Sequence, residues 1–290
     1  GPMALAGSTR MQASTIQMLS IALAIFEYQD NFEDFDKRLK ALMAVFKNLD
    51  LRDIENLIQF EANHYLNNGI ITYIADPQSA MTVLTDTTER SPTFSLRGFE
   101  KKNENDYSMA FLAVKGTTEV KEAWDKLLAR SPRCLNWKDI AFKLDKEELF
   151  HFDISEKSIL RRSNNNHARE HETINISKNN KEVEINYLDK EIRIACEFDN
   201  PIYQEIALKT ILNIHSTLLM GLLGRYEKNM MSYVKPSNLK LIDRSIRYII
   251  KILNDNSIDE DAIIEEIFKE ISKLGSDESI VLKVVSNLKR

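Results

Sequence analysis

Glycine is scarce in this chain, with eight residues in 290. Neither G-x-x-x-x-G-K-[ST] nor G-x-G-x-x-G occurs, which excludes the two commonest glycine-rich cradles for nucleotide phosphates. The absence of G-x-S-x-G likewise removes the nucleophile turn of the α/β-hydrolases. Cysteine is scarcer still. Cys134 and Cys196, each among strand-like neighbours, cannot form a disulfide framework and are expected to be buried thiols of a reducing compartment. The longest apolar run, Ile16 to Phe26, is interrupted by Gln17 and Ser20 and is too short to span a bilayer. No secretory signal is recognisable, so the expected location is the cytoplasm, with no membrane partner. Neither sign of charge dominates: 39 Lys and Arg against 44 Asp and Glu give a net charge of −5. That balance leaves neither the basic footprint of a nucleic-acid binder nor a polybasic lipid-binding patch.

What the chain does have is 43% apolar and 29% charged residues, the balance of a protein with a real core, in a length that fits one large domain or two ordinary ones. Residues 12–29 are apolar on nearly every face, predicting a helix buried on several sides. Phe32, Phe35, Leu39, Leu42, Met43, Phe46 and Leu49 recur at helical spacing, and a third helix is predicted over 51–66. "GIITYIA" (69–75), "SMAFLAV" (108–114) and "RCLNW" (133–137) read as strands, with "AMTVLTD" and "TTEVKEAWDKLLAR" as the helices between them. Strand–helix–strand–helix–strand predicts a parallel α/β sheet with right-handed crossovers. "INISKNNKEVEINYLDKEIRIACEF" alternates in pieces, as hairpins do. A long helix is predicted from Tyr203, and a helical tail from Lys235 with Ser257 and Glu260 as a capping box and Gly275 as a stop.

Ligands of open α/β sheets bind beyond the carboxyl ends of the strands. Here those turns are "ADPQSAM" and "VKGTTEV", offering Gln78, Ser79, Thr117 and Thr118 as hydrogen-bond donors beside helix starts. Ordinary N-capping by Ser and Thr is the competing explanation. "HAREH" (167–171) fits the zinc pattern H-x-x-E-H, but its polar flanks, "SNNN" and "ETINIS", favour a solvated loop. His215, in an apolar helix, is expected to be a core histidine with one partner, and His64 and His151 have no informative neighbours.

Several separated stretches also resemble one family. The opening "GPMALAGSTRMQAST" (1–15) resembles G-P-E-x-x-x-G-S-T-R-M-K-A-G-T, with Met3 in place of Glu and Gln12 in place of Lys. "TERSPTF" (88–94) resembles S/A-E-C-P-P-T-F/Y. Residues 207–249 resemble a long segment ending N-x-M-V-x-V-K-x-S-N-x-K-L-x-x-R, matching at Lys235, Asn238 and Lys240, and "IDEDAIIEEIFKEISKL" resembles the closing helices. These are marks of the N-acetylmuramic acid 6-phosphate etherase and glucokinase regulatory protein family, within the SIS (sugar isomerase) superfamily of phosphosugar-binding domains. Residues 101–200 match only in their alternation of elements.

The resemblance implies a three-layer α/β/α SIS sandwich with a mostly parallel sheet, flanked by N-terminal helices and a C-terminal helical region. It implies that residues 1–50 are the end of a preceding SIS domain with linking helices. On that reading 51–234 are a second SIS domain and 235–290 a helical cap. Gly1-Pro2 fall in register with the family's G-P, although they also look like the remnant of a cleaved tag. The resemblance further implies a sugar phosphate bound by Gln78, Ser79, Lys115, Gly116, Thr117 and Thr118, with Glu89 as acid/base if the chain is a lyase. No cofactor, metal or nucleic acid is implied, and association with another copy or with a preceding SIS domain is. The family's glycine-rich loop G-x-G-T-S-G-R is replaced by "ADPQSAM". The expectation is therefore a degenerate regulatory or ligand-sensing module of carbohydrate metabolism. An etherase-type lyase and a structural or partner-binding domain without a ligand are the alternatives.

Overall fold

Three helices precede the first strand: α1 (Thr9–Gln29), α2 (Phe32–Lys47) and α3 (Leu51–Leu66). A computed structural model of the chain describes residues 9–29, 32–103, 107–134, 145–164, 169–255, 257–275 and 278–289. Asp50 starts α3 from an extended conformation, its carboxylate accepting the Arg52 N–H at 2.9 Å. The face of α3 that carries Ile54, Leu57, Ile58, Ala62 and Tyr65 is buried. Its end is sharp because Gly69 N–H donates to the His64 carbonyl at 2.8 Å, and the chain turns directly into β1 (Ile70–Ala75).

β1 is the middle one of the three strands that run parallel. It pairs in parallel with β2 (Ala110–Val114) on one side and β3 (His171–Lys178) on the other. β4 (Glu182–Tyr187) and β5 (Lys190–Ala195) continue as antiparallel hairpins, giving the order β2-β1-β3-β4-β5. Among the described residues the sheet is therefore mixed, with two parallel and two antiparallel pairings. β1 and β2 are buried almost throughout and read as continuous apolar runs, whereas β4 buries alternate residues, as a one-sided strand does.

Among the described residues the third parallel strand comes from later in the chain than "RCLNW". Arg133 and Cys134 of "RCLNW" lie in a loop, residues 135–137 are outside the described residues, and β3 takes the parallel place beside β1. Arg162, from the segment just before β3, hydrogen-bonds the Ile71 carbonyl of β1. His171, read as part of a solvated loop, opens this strand; His167 is outside the described residues.

α4 (Ala80–Phe94) packs on β1 and β2 and contains the whole "TERSPTF" stretch up to Phe94; α5 (Val120–Leu128) packs on β2. α6 (Lys146–Leu149) and α7 (Lys157–Ser163) are short. α8 (Pro201–Leu222) has its N-cap at Asn200, which accepts from Ile202 N–H at 3.0 Å, and packs against α1, α3 and α4. The tail helix begins later than Lys235: α9 (Leu239–Leu253) is capped by Asn238, and α10 (Glu260–Ile271) and α11 (Ile280–Leu288) follow. The expected Ser257–Glu260 capping box does not form. Asp255 captures both the N–H and the hydroxyl of Ser257, and Asp259 caps α10 instead. One hydrophobic cluster runs from Ala22 in α1 to Val285 in α11. Among the described residues no helix is long and apolar enough to cross a membrane.

A Cβ on Gly69 would lie 2.3 Å from His64 Nε2. Gly69→Ala is thus expected to cost about 1–3 kcal/mol in urea unfolding through overpacking. The cost should shrink in the Gly69→Ala/His64→Ala double variant relative to His64→Ala alone; equal costs in both backgrounds would disprove the clash.

Candidate functional site

The loops after β1 and β2 do meet. Lys115 N–H donates to the Ala75 carbonyl at 2.8 Å, so Gln78, Ser79, Lys115, Gly116, Thr117 and Thr118 share the carboxyl edge of the parallel strands. A parallel bridge from Val114 to Ser155 extends that edge. Gln78, Lys115, Gly116 and Thr118 are exposed, whereas Ser79 and Thr117 are fully buried. Gly116 has φ of +70°, and a Cβ there would meet only open space.

Internal carboxylates occupy the donors an incoming anion would need. Asp76 accepts the Ser79 N–H at 2.7 Å with one oxygen and the Lys178 N–H at 2.9 Å with the other. Glu122 accepts the Thr118 N–H at 3.1 Å, and Lys126 ties down the Gly116 carbonyl at 2.8 Å. N-capping by Ser and Thr, the simpler expectation, is not realised. Ser79 holds the cap position of α4 without a side-chain cap bond, and its buried hydroxyl has no partner among the described residues. Thr117 turns back onto the Val114 carbonyl at 2.6 Å. Beside this loop Lys178 pairs with Glu205, which also accepts from the Thr82 hydroxyl. Burial brings the Lys178 pKa below the ordinary lysine value.

Glu89 is elsewhere. Ten residues of helix separate it from Ser79, about 15 Å at the α-helical rise, and the two do not form one site. Its carboxylate accepts from Lys209 Nζ at 2.7 Å, and the lysine is fully buried. Lys209 also donates to Asn213 Oδ1 at 2.9 Å and lies 3.6 Å from Asp86 Oδ1. Asn213 in turn donates to the Thr15 hydroxyl of α1 at 2.9 Å.

This contact is the rim of a larger buried network that sequence reasoning missed. Arg90 donates to Glu61 Oε1 at 2.8 Å, to Asp86 Oδ2 at 3.1 Å and to the Tyr73 hydroxyl at 3.0 Å. Tyr65 and Tyr73 both donate to Glu61. His215 Nε2 lies 3.1 Å from Glu61 Oε2, although neither ring nitrogen makes an aligned hydrogen bond. Burial by itself would raise the Glu61 pKa, but Arg90 and then His215 hold the carboxyl well below the ordinary carboxylate range. Burial keeps both tyrosines protonated far beyond their usual range, so they act as donors. Glu61 was detectable as a charge on the apolar stripe of α3, one turn after Leu57 and one before Tyr65.

A second buried cluster lies at the amino edge of the sheet. Arg162 donates to Glu100, to the Thr72 hydroxyl at 2.8 Å and to the carbonyls of Ile71 and Ser108. His171 Nε2 lies 2.8 Å from the Thr72 hydroxyl and Nδ1 2.8 Å from that of Ser163. Ser163 donates its proton to the Ile159 carbonyl at 2.9 Å. His171 Nδ1 must therefore donate to Ser163, leaving Nε2 to accept from Thr72, whose oxygen accepts from Arg162. The ring is neutral in this chain of bonds. Burial first, then the nearby Arg162, lower the His171 pKa to about 4. That makes it too weak a base to activate Ser163. No protein-family model matches the sequence, and no curated protein matches it either.

Two outcomes are expected. Lys209→Met leaves Asp86 and Glu89 without their buried cation and should cost about 3–5 kcal/mol in urea unfolding; a loss under about 1 kcal/mol would show that the pair is not coupled to the fold. His171 takes up a proton more readily unfolded, with its ordinary value of 6.5, than folded. Its contribution is present above pH 6.5 and lost as pH falls towards 4. His171→Gln should flatten the stability profile in that window, and an unchanged slope would assign the loss to other groups.

Proposed function

We propose that the chain is a non-catalytic, phosphosugar-binding module of the SIS type, a three-layer α/β/α domain that acts in regulation rather than turnover. The observation that carries the non-catalytic half is the engagement of Glu89 by buried Lys209, remote from the loops. A general acid/base must exchange a proton beside its substrate, and this carboxylate is instead a member of a buried ion cluster. What supports binding is the loop pair itself. It offers an unsatisfied buried hydroxyl at Ser79, a left-handed glycine with open space at Gly116, and the exposed side chains of Gln78, Lys115 and Thr118.

Affinity for the phosphate is weak on this reading. Asp76 and Glu122 already take two of the loop N–H groups, and Asp76 places a negative charge at the start of α4, where a phosphate would otherwise be favoured. The same filling favours the second reading, a partner-binding domain that has dispensed with a ligand.

A ligand that binds only the folded state raises its melting temperature. Hexose phosphates at millimolar concentration should raise that of the wild-type chain by a degree or more. Asp76→Asn, which removes the competing charge, should enlarge the shift, and Lys115→Ala should reduce it. No shift with any hexose phosphate, in wild type or Asp76→Asn, would replace this reading with the partner-binding one. Lactate release from N-acetylmuramic acid 6-phosphate, lost in Glu89→Gln, would replace it with the lyase.

A further inference from the structure

β5 is the last strand of the sheet, and among the described residues nothing pairs with its outer side. Which backbone groups it leaves open follows from one bond. Cys196 N–H donates inward to the Lys181 carbonyl at 2.7 Å. In an antiparallel ladder successive residues alternate in direction, so Ile194 and Ile192 also face β4, while Glu191, Arg193 and Ala195 turn their N–H and C=O groups outward. Beside this edge a groove of about 340 Å³ runs between β5 and α2, floored by Ala41, Ala44 and Val45. The two alanines leave open the space that a further strand, about 4.7–4.9 Å from β5, would take.

An open edge of this kind recruits a strand unless its charges forbid it. Glu191 and Arg193 lie on the exposed face of β5, 3.0 Å apart and with side chains 42% and 59% exposed. We infer that the occupant is β5 of a second copy of this chain, antiparallel about a two-fold axis at Ile192. In that register Glu191 stands opposite Arg193 of the second copy, and Arg193 opposite its Glu191, both pairs being of the outward hydrogen-bonding type. A two-fold at Arg193 would instead set arginine against arginine, and like charges directly opposite are destabilising. The two five-stranded sheets become one of ten strands, with the two α2 helices flanking the seam. Exposed ion pairs contribute little affinity; the strand hydrogen bonds and closure of the groove supply it, and the charges select the register.

Sedimentation equilibrium of the full chain at tens of micromolar is the test, with circular dichroism as the control for folding. Wild type should be a dimer. Arg193→Glu sets acid against acid twice and should weaken association at least tenfold. The reversed pair, Glu191→Arg with Arg193→Glu, should restore it. A monomeric wild type overturns the inference. So does an Arg193→Glu variant that dimerises like wild type, or a reversed pair that remains monomeric.

Discussion

The Glu61 carboxylate, taken completely out of water, is the constraint around which the core is arranged. Such a charge is tolerated only with an opposite charge and satisfied hydrogen bonds. Arg90 supplies the charge, and the phenols of Tyr65 and Tyr73 supply further donors. Each partner belongs to a different place: α3, β1 and α4 converge on one carboxylate, and Asp86, Ser216 and Lys209 carry the network on to α8. Asn213 then reaches Thr15, so even α1 is oriented by a polar contact. The apolar cluster brings these elements together, and the directional ion cluster fixes how they meet.

The same economy explains the two edges of the parallel strands. At the carboxyl edge Asp76 staples the β1 loop to β3, doing internally what a bound anion does in glycine-rich loops. At the amino edge Arg162 binds carbonyls from β1 and from the segment leading into β2, which ties α7 beneath the sheet. The fold is thus closed at both ends by its own charges.

Much of the fold was legible. α3 appears over the predicted residues, β1 and β2 within one or two positions, and the β3–β4–β5 hairpins follow the alternation. Periodicity reports which face of an element is buried, and these elements bury one face or both in simple ways. Of "RCLNW" only Arg133 and Cys134 are described, and they are in a loop; the parallel place beside β1 goes to β3, because a short apolar stretch carries no information about which neighbour it pairs with. Ser257 failed as a cap because Asp255, two residues earlier, competes for the same groups. Of the candidate site, the loop residues were found by their position after strands. Of the buried charges only Glu61 left a mark, as a charge on an apolar stripe; Lys209 and Arg162 each look like a surface residue until partners tens of residues away, Glu89 and Glu100, are known.

The residues by themselves determined an α/β chain with two buried parallel strands, antiparallel hairpins and a helical tail, and they excluded the glycine-rich phosphate cradles. Those are local properties, set by side-chain period and backbone chemistry. Only the tertiary structure decided that Glu89 belongs to a buried ion cluster rather than to the loops, that Asp76 occupies the start of α4, and that His171 is neutral in a strand. Each of these depends on which distant groups share a low-dielectric interior, and the energy of a buried charge is set by those neighbours and not by its place in the chain.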